Sequence, residues 1–327
     1  MKKKTAFVAV LLITATYTII TIPEVKPYSD VKYPDYLLNV YPYLRDCQLD
    51  EIPERGSELL RAPLKWYSIC ASYKLGNENI IPFIFSILTL PLTYRLGYVM
   101  SGKHLVGIIA MLFVLSSVTF TRWDTSATYD QSWSLFLVTA LNLLYVKPSL
   151  APVSYLASIA GKTLAFVYMP MYLYHVVRQN GLHGIMFNLT IILTPLILIT
   201  LLVINIETLL GTSLIFDYNK MFEGSWKWIF YFAEDLHIMI GTPIMLAMLW
   251  IMHKKIRNAD VVFWWCVGII LTVPLIMGFT TQLIHPYRFV PFVIFYSIGM
   301  AMIINHWAQK IISKKLVNKQ WTMKVSE

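Results

Sequence analysis

Long apolar runs broken by short polar punctuation dominate the chain. A helix that crosses a bilayer needs roughly 17 to 25 mostly apolar residues, and eight runs approach or reach that length. They are Thr5 to Ile22, Ile80 to Met100, Leu105 to Phe120, Gln131 to Val146, Ile185 to Ile206, Leu236 to Met252, Val261 to Phe279 and Phe289 to His306. A ninth stretch, Leu150 to Val177, is too long for one plain span and is interrupted by Gly161 and Lys162, so it reads as a broken hairpin. The pattern predicts an all-α fold: a polytopic helical membrane protein with about eight full spans plus a broken helical hairpin, in one transmembrane domain over residues 1–327.

Two polar segments between the runs are long enough to fold by themselves. Residues 24–79 are charged and rich in tyrosine, with an amphipathic helix predicted from Glu58 to Tyr73. Residues 207–235 set Trp226, Trp228, Phe230 and Phe232 beside Lys220 and Lys227, a mixture suited to a short helix lying in the bilayer interface. Plain aromatic belts account for many of the same rings.

Composition agrees with the runs. The chain is 57% apolar and 14% charged, with a mean hydropathy of +0.59, whereas about a quarter of a soluble domain is charged. Those figures exclude a disordered chain and a disulfide-stapled miniprotein. The net charge of +9 would suggest a nucleic-acid partner, but its placement does not. One side of the predicted topology collects Lys2 to Lys4, Arg95, Lys103, Lys147, Arg178, Lys254, Lys255, Arg257, Lys310, Lys314, Lys315, Lys319 and Lys324, opposed only by Asp260 and Glu327. By the positive-inside rule that side is cytoplasmic and holds both termini, while the segments 24–79 and 207–235 lie outside. The basicity is a topological signal, and no nucleic-acid partner is expected.

The opening Lys2 to Lys4 and its apolar run resemble a secretory signal, yet Thr21-Ile22-Pro23-Glu24 offers no small-x-small cleavage site, so an uncleaved anchor is expected. Cys47 and Cys70 share the first outer segment and are able to pair there, whereas Cys266 lies in a span. No P-loop, GxGxxG, HExxH or CxxC motif occurs, and no internal repeat is visible.

Candidate chemistry gathers at the outer ends of the runs. The turn from Thr121 to Asp130 joins two apolar spans, yet it holds Arg122, Asp124, Asp130 and four hydroxyls besides Tyr129. Asp130 could simply cap the helix that follows. Lys162 stands at the hairpin break with apolar sequence on both sides, where a lysine must snorkel, meet an anion or line water. His285 and Arg288 sit at the mouth of the last span. Asp30 and Asp35 lie just past the first, Asp35 behind a proline in a helix-capping context.

The order of these features resembles the GT-C superfamily of integral-membrane glycosyltransferases, whose members include protein O-mannosyltransferases (glycosyltransferase family 39) and aminoarabinose transferases. The resemblance runs over most of the chain. An anchor span leads into an outer loop that opens with an acid, followed by Ala62-Pro63-Leu64-Lys65-Trp66-Tyr67. Then come a turn ending in Asp130 before Ser132-Trp133-Ser134-Leu135-Phe136, a short hairpin with Ala160-Gly161-Lys162-Thr163, and Arg288-Phe289-Val290-Pro291 at the final span. The resemblance implies a transferase that moves a sugar from a polyprenyl-phosphate donor to an acceptor hydroxyl on protein, lipid or glycan, with inversion at the anomeric carbon and short extracytoplasmic interfacial helices. It makes Asp35 the general base and Asp130, or else Asp124, the second acid. The chain departs from the family pattern in flanking Asp35 with Pro34 and Tyr36 rather than a second acid, which leaves Asp30 as a rival, and in having no soluble domain after the last span.

The residue chemistry suits that reaction. A positioned carboxylate can take the proton of an attacking hydroxyl, and cations can hold the charge that develops on the departing lipid phosphate. Arg288 and Lys162 are the phosphate-binding candidates, with His285 beside them and Arg122 behind. Asp124 and Asp130 can orient the acceptor, hold a basic side chain, or share a divalent metal (Mg or Mn) with Asp35. Two rival functions use the same residues. In a transporter Lys162, Asp124 and Asp130 would be coupling charges at broken helices, and a noncatalytic accessory subunit would tolerate their loss.

Overall fold

The computed structural model describes the chain apart from residues 33–35, 42–43, 45–46, 48–61, 129–130, 203–215, 224–225, 227–233, 280–285 and 326–327. At 38–39, 196, 198–202, 273, 276–277, 279, 286 and 314–325 it describes the backbone alone. Among the described residues every regular element is helical. We number the main helices α1 (Lys3–Thr21), α2 (Pro63–Lys74), α3 (Ile80–Ser101), α4 (His104–Leu115), α5 (Ser132–Leu143), α6 (Ala151–Gly161), α7 (Met169–Leu202), α8 (Leu236–Met252), α9 (Ala259–Phe279) and α10 (Val290–Val325).

Among the described residues three helices are long and apolar enough to cross a membrane: Lys3–Glu24, Ile80–Ser101 and Tyr287–Ser313. His104–Leu115, Ser132–Leu143, Leu236–Met252 and Ala259–Thr272 are apolar but shorter. The first and last long helices play opposite parts. Only 22% of the most apolar window in Lys3–Glu24 is buried, against 89% in Tyr287–Ser313. α10 is therefore the central post, packed by α3, α4, α8 and α9, with Phe295 stacked on Trp265 of α9 at 4.5 Å.

Several predicted runs change shape for local reasons. The run Leu105 to Phe120 stops as α4 at Leu115, and a separate helical turn, Val118–Thr121, follows. Asp235, just before α8, caps that turn: it accepts hydrogen bonds from Val118 N (2.6 Å), Thr119 N (2.9 Å), Ser117 Oγ (2.9 Å) and Thr119 Oγ1 (2.6 Å). Two of these four donors are amides that a new helix start leaves without an intrahelical partner. The hairpin breaks where expected. α6 ends at Gly161, Lys162 is extended (φ −162°, ψ 121°), and a 3₁₀ turn, Thr163–Tyr168, leads into α7. The returning limb packs back on α6, with Tyr172 stacked on Tyr155 at 4.2 Å and the Tyr155 hydroxyl donating to Ala165 O at 2.6 Å. No loop separates this limb from the Ile185 run; α7 continues through a kink at Gly181, whose φ of +69° few other residues adopt. At the other end, the run Phe289 to His306 extends to Val325, because the lysine-rich sequence beyond it contains no helix breaker.

The polar segment before α2 is pinned to that helix. Cys47 and Cys70 form a disulfide with Cα atoms 5.7 Å apart, which ties the chain before α2 to the middle of that helix. The amphipathic helix expected from Glu58 is described from Pro63, where proline suits the first turn; residues 58–61 lie outside the described residues.

Candidate functional site

The turn after Thr121 is where Asp30, Lys65 and Asn79 meet. Asp30, 2% exposed, accepts hydrogen bonds from Ser126 Oγ and Thr128 N, both at 2.8 Å. Asn79 works from the other end of the same outer segment: its Oδ1 accepts from Ala127 N at 3.0 Å, while its Nδ2 donates to Lys26 O (2.9 Å) and Ser29 Oγ (3.0 Å). Glu78 is fully buried and accepts from Tyr28 N (2.6 Å) and the Tyr36 hydroxyl (3.1 Å). Burial, reinforced by the charge of Glu78, pushes the Tyr36 phenol well above its ordinary range. Asp30, the sequence rival to Asp35, is thus a tether between two loops.

Lys162, Tyr287 and Arg288 come together. The Lys162 ammonium donates to the Tyr287 hydroxyl and lies 4.1 Å from the centre of its ring, combining a hydrogen bond with a cation–π contact. Tyr287 and Arg288 are 7% and 8% exposed. They belong to a 3₁₀ turn, Pro286–Phe289, that leads into α10. Tyr287 also packs on Trp123 of the 121–128 turn. A close approach positions Lys162: a Cβ on Gly161 would stand 3.1 Å from Trp133 Cβ and 3.2 Å from Ser132 Oγ, so a larger residue would push the hairpin tip a few tenths of an ångström from the start of α5.

A third cation joins them. Lys65 on α2 donates to Thr128 O at 2.6 Å and, with Arg288, lies within electrostatic range of both Lys162 and Tyr287. Tyr168, fully buried, lies in range of Arg288 and 6.1 Å from the Trp133 ring. The Tyr168 hydroxyl, Trp133 Nε1, Ser134 Oγ and Thr128 Oγ1 are buried polar atoms without a hydrogen-bond partner among the described residues. Buried polar groups are normally paired, so this is a buried cationic cluster beside polar atoms with unspent hydrogen-bonding capacity. Lys65, Tyr168 and Tyr287 had not been singled out from sequence. The only hint was local: Lys65 lies inside the Pro-Leu-aromatic segment and Tyr287 precedes Arg288.

The other predicted residues fall elsewhere. Asp124 is 2% exposed and accepts a hydrogen bond from the Tyr17 hydroxyl of α1 at 2.7 Å. Burial pushes its carboxyl up to about 7, with the charge of Glu24 adding to the rise and the bond from Tyr17 opposing it. Arg122 pairs with Glu234 at 2.6 Å, both partly exposed, next to the Asp235 cap. Asp35, Asp130 and His285 lie outside the described residues, as do most of the predicted interfacial aromatics of 207–235. Among the described residues no three His, Cys, Asp or Glu side chains come together as metal ligands.

Comparison of the chain with protein-family models, with curated proteins and with solved structures found no match.

Proposed function

We propose that the chain is a multi-pass membrane glycosyltransferase of the GT-C type, which moves a sugar from a polyprenyl-phosphate donor to an acceptor hydroxyl on the extracytoplasmic face. The observation that carries this reading is the convergence of Lys162, Arg288 and Lys65 on buried Tyr287, beside buried polar atoms left unpaired among the described residues. Cations held in a buried, poorly solvated cluster suit a phosphate whose charge grows as its bond to the sugar breaks. The Cys47–Cys70 disulfide adds support, because disulfides persist on the oxidising side of a membrane, where the outer segment is expected. Both termini then face the cytoplasm.

In this scheme the acceptor oxygen attacks the anomeric carbon and its proton passes to Asp35. The bond from that carbon to the phosphate oxygen breaks, and Lys162 and Arg288 hold the lipid phosphate that leaves. Attack from the opposite face inverts the anomeric centre. Asp130 supplies the second acid. Asp124, engaged by Tyr17, anchors the first helix beside the site. A divalent metal would be held by Asp35 and Asp130.

The test compares membranes that carry wild-type protein with membranes that carry Asp35→Asn, supplied with radiolabelled polyprenyl-phosphate sugars. Transfer to an acceptor fraction should disappear in the variant while the protein level stays constant. Undiminished transfer would remove Asp35 as the base.

A further inference from the structure

At the end of α3 and α4 away from the site, two turns lock together. Asn258, held in left-handed backbone at φ +57°, donates through Nδ2 to Met100 O at 2.9 Å and accepts from Gln179 Nε2 at 3.4 Å. Arg257 extends over Gly102, where a Cβ would lie 3.8 Å from its guanidinium. Asparagine adopts this left-handed backbone more readily than other non-glycine residues, and its side chain joins the two turns.

Four cations gather on these turns: Lys103, Lys254, Lys255 and Arg257, all exposed. None forms an ion pair among the described residues. The nearby Arg178, by contrast, is held by Asp260 at 2.8 Å. Beside them the surface becomes apolar and open, with Leu105, Trp250 and Ile251 exposed to 40%, 57% and 74%. Unpaired charge next to bare apolar surface is the profile of a headgroup above acyl chains.

We infer that the joint between the α3–α4 and α8–α9 turns is a binding site for an anionic phospholipid, its phosphate held by Lys103, Lys254, Lys255 and Arg257 and its chains laid against Leu105, Trp250 and Ile251. The inference rests on the chain's residence in a membrane and is independent of the transferase reading. Charge complementarity and continuity with the lipid-facing surface select this ligand. A free phosphate would use only the cations and leave the apolar surface uncovered.

The test is native mass spectrometry of the full chain in detergent, titrated with dioleoyl phosphatidylglycerol or dioleoyl phosphatidylcholine, with inorganic phosphate as competitor. Wild type should retain phosphatidylglycerol in preference to phosphatidylcholine. Each cation at a lipid surface is worth roughly fivefold in affinity, so K254Q/K255Q/R257Q should weaken phosphatidylglycerol binding about 100-fold. The charge-keeping K254R/K255R/R257K should retain it. Lys103→Gln, a single exposed change, should weaken it about fivefold and carries the test should the triple variant fail to fold. Equal retention of both lipids, full binding by the glutamine variants, or displacement of the lipid by millimolar phosphate would overturn the inference.

Discussion

Asp124 offers the sharpest quantitative consequence of the structure. Its carboxyl, buried and facing α1, titrates near 7 in the folded chain against an ordinary value of 3.8. Between those values the folded chain binds a proton that the unfolded chain has released, so stability falls as pH rises through that window. The slope is about 1.4 kcal/mol per pH unit at full effect, and the total loss is about 4 kcal/mol once pH exceeds 7. Asp124→Asn keeps an oxygen for the Tyr17 hydroxyl and removes the charge. Its stability relative to wild type should therefore be near zero at pH 4 and grow to about 4 kcal/mol by pH 8. Unfolding of purified protein followed by tryptophan fluorescence at pH 4, 6 and 8 measures the difference. Parallel wild-type and variant profiles across this range would refute the buried, proton-retaining carboxyl.

Two further predictions concern the outer loops. Asp30→Ala removes two hydrogen bonds to a carboxylate and should cost about 3 kcal/mol; limited proteolysis should then cut within residues 24–79 faster than in wild type, and an unchanged rate would show that the tether is dispensable. Cys70→Ser opens a disulfide that spans 23 positions, and chain entropy puts the loss at about 3 kcal/mol. Reductant should reproduce that loss in wild type and have no further effect on the variant, a pattern that thermal unfolding with and without reductant would reveal or deny.

The sequence pattern reached some features more readily than others, for physical reasons. Apolar runs report burial or lipid contact along a helix, so α3, α8 and α9 lie within a residue or two of their predicted runs. The hairpin break was legible because glycine and lysine cannot sit quietly inside a span. The loop staples were not. Asp30 with Ser126 and Thr128, and Asp235 with Ser117 and Thr119, join residues roughly 100 positions apart, and nothing in a local pattern of polar residues specifies such a partner. The same holds for Lys65, which reaches the Lys162 cluster only because α2 folds over the 121–128 turn. Asp235 also explains why one predicted span splits: its carboxylate makes a second helix start at Val118 favourable, where the apolar run by itself reads as continuous.

Lipid mass spectrometry of the purified protein decides whether the cluster of Lys65, Lys162 and Arg288 binds a lipid phosphate bearing a sugar. Wild type should copurify with polyprenyl phosphate or its glycosylated form, and a variant carrying Lys162→Gln and Arg288→Gln should lose it while retaining ordinary phospholipid. Ordinary phospholipid alone in both preparations would contradict the account and turn attention to transport.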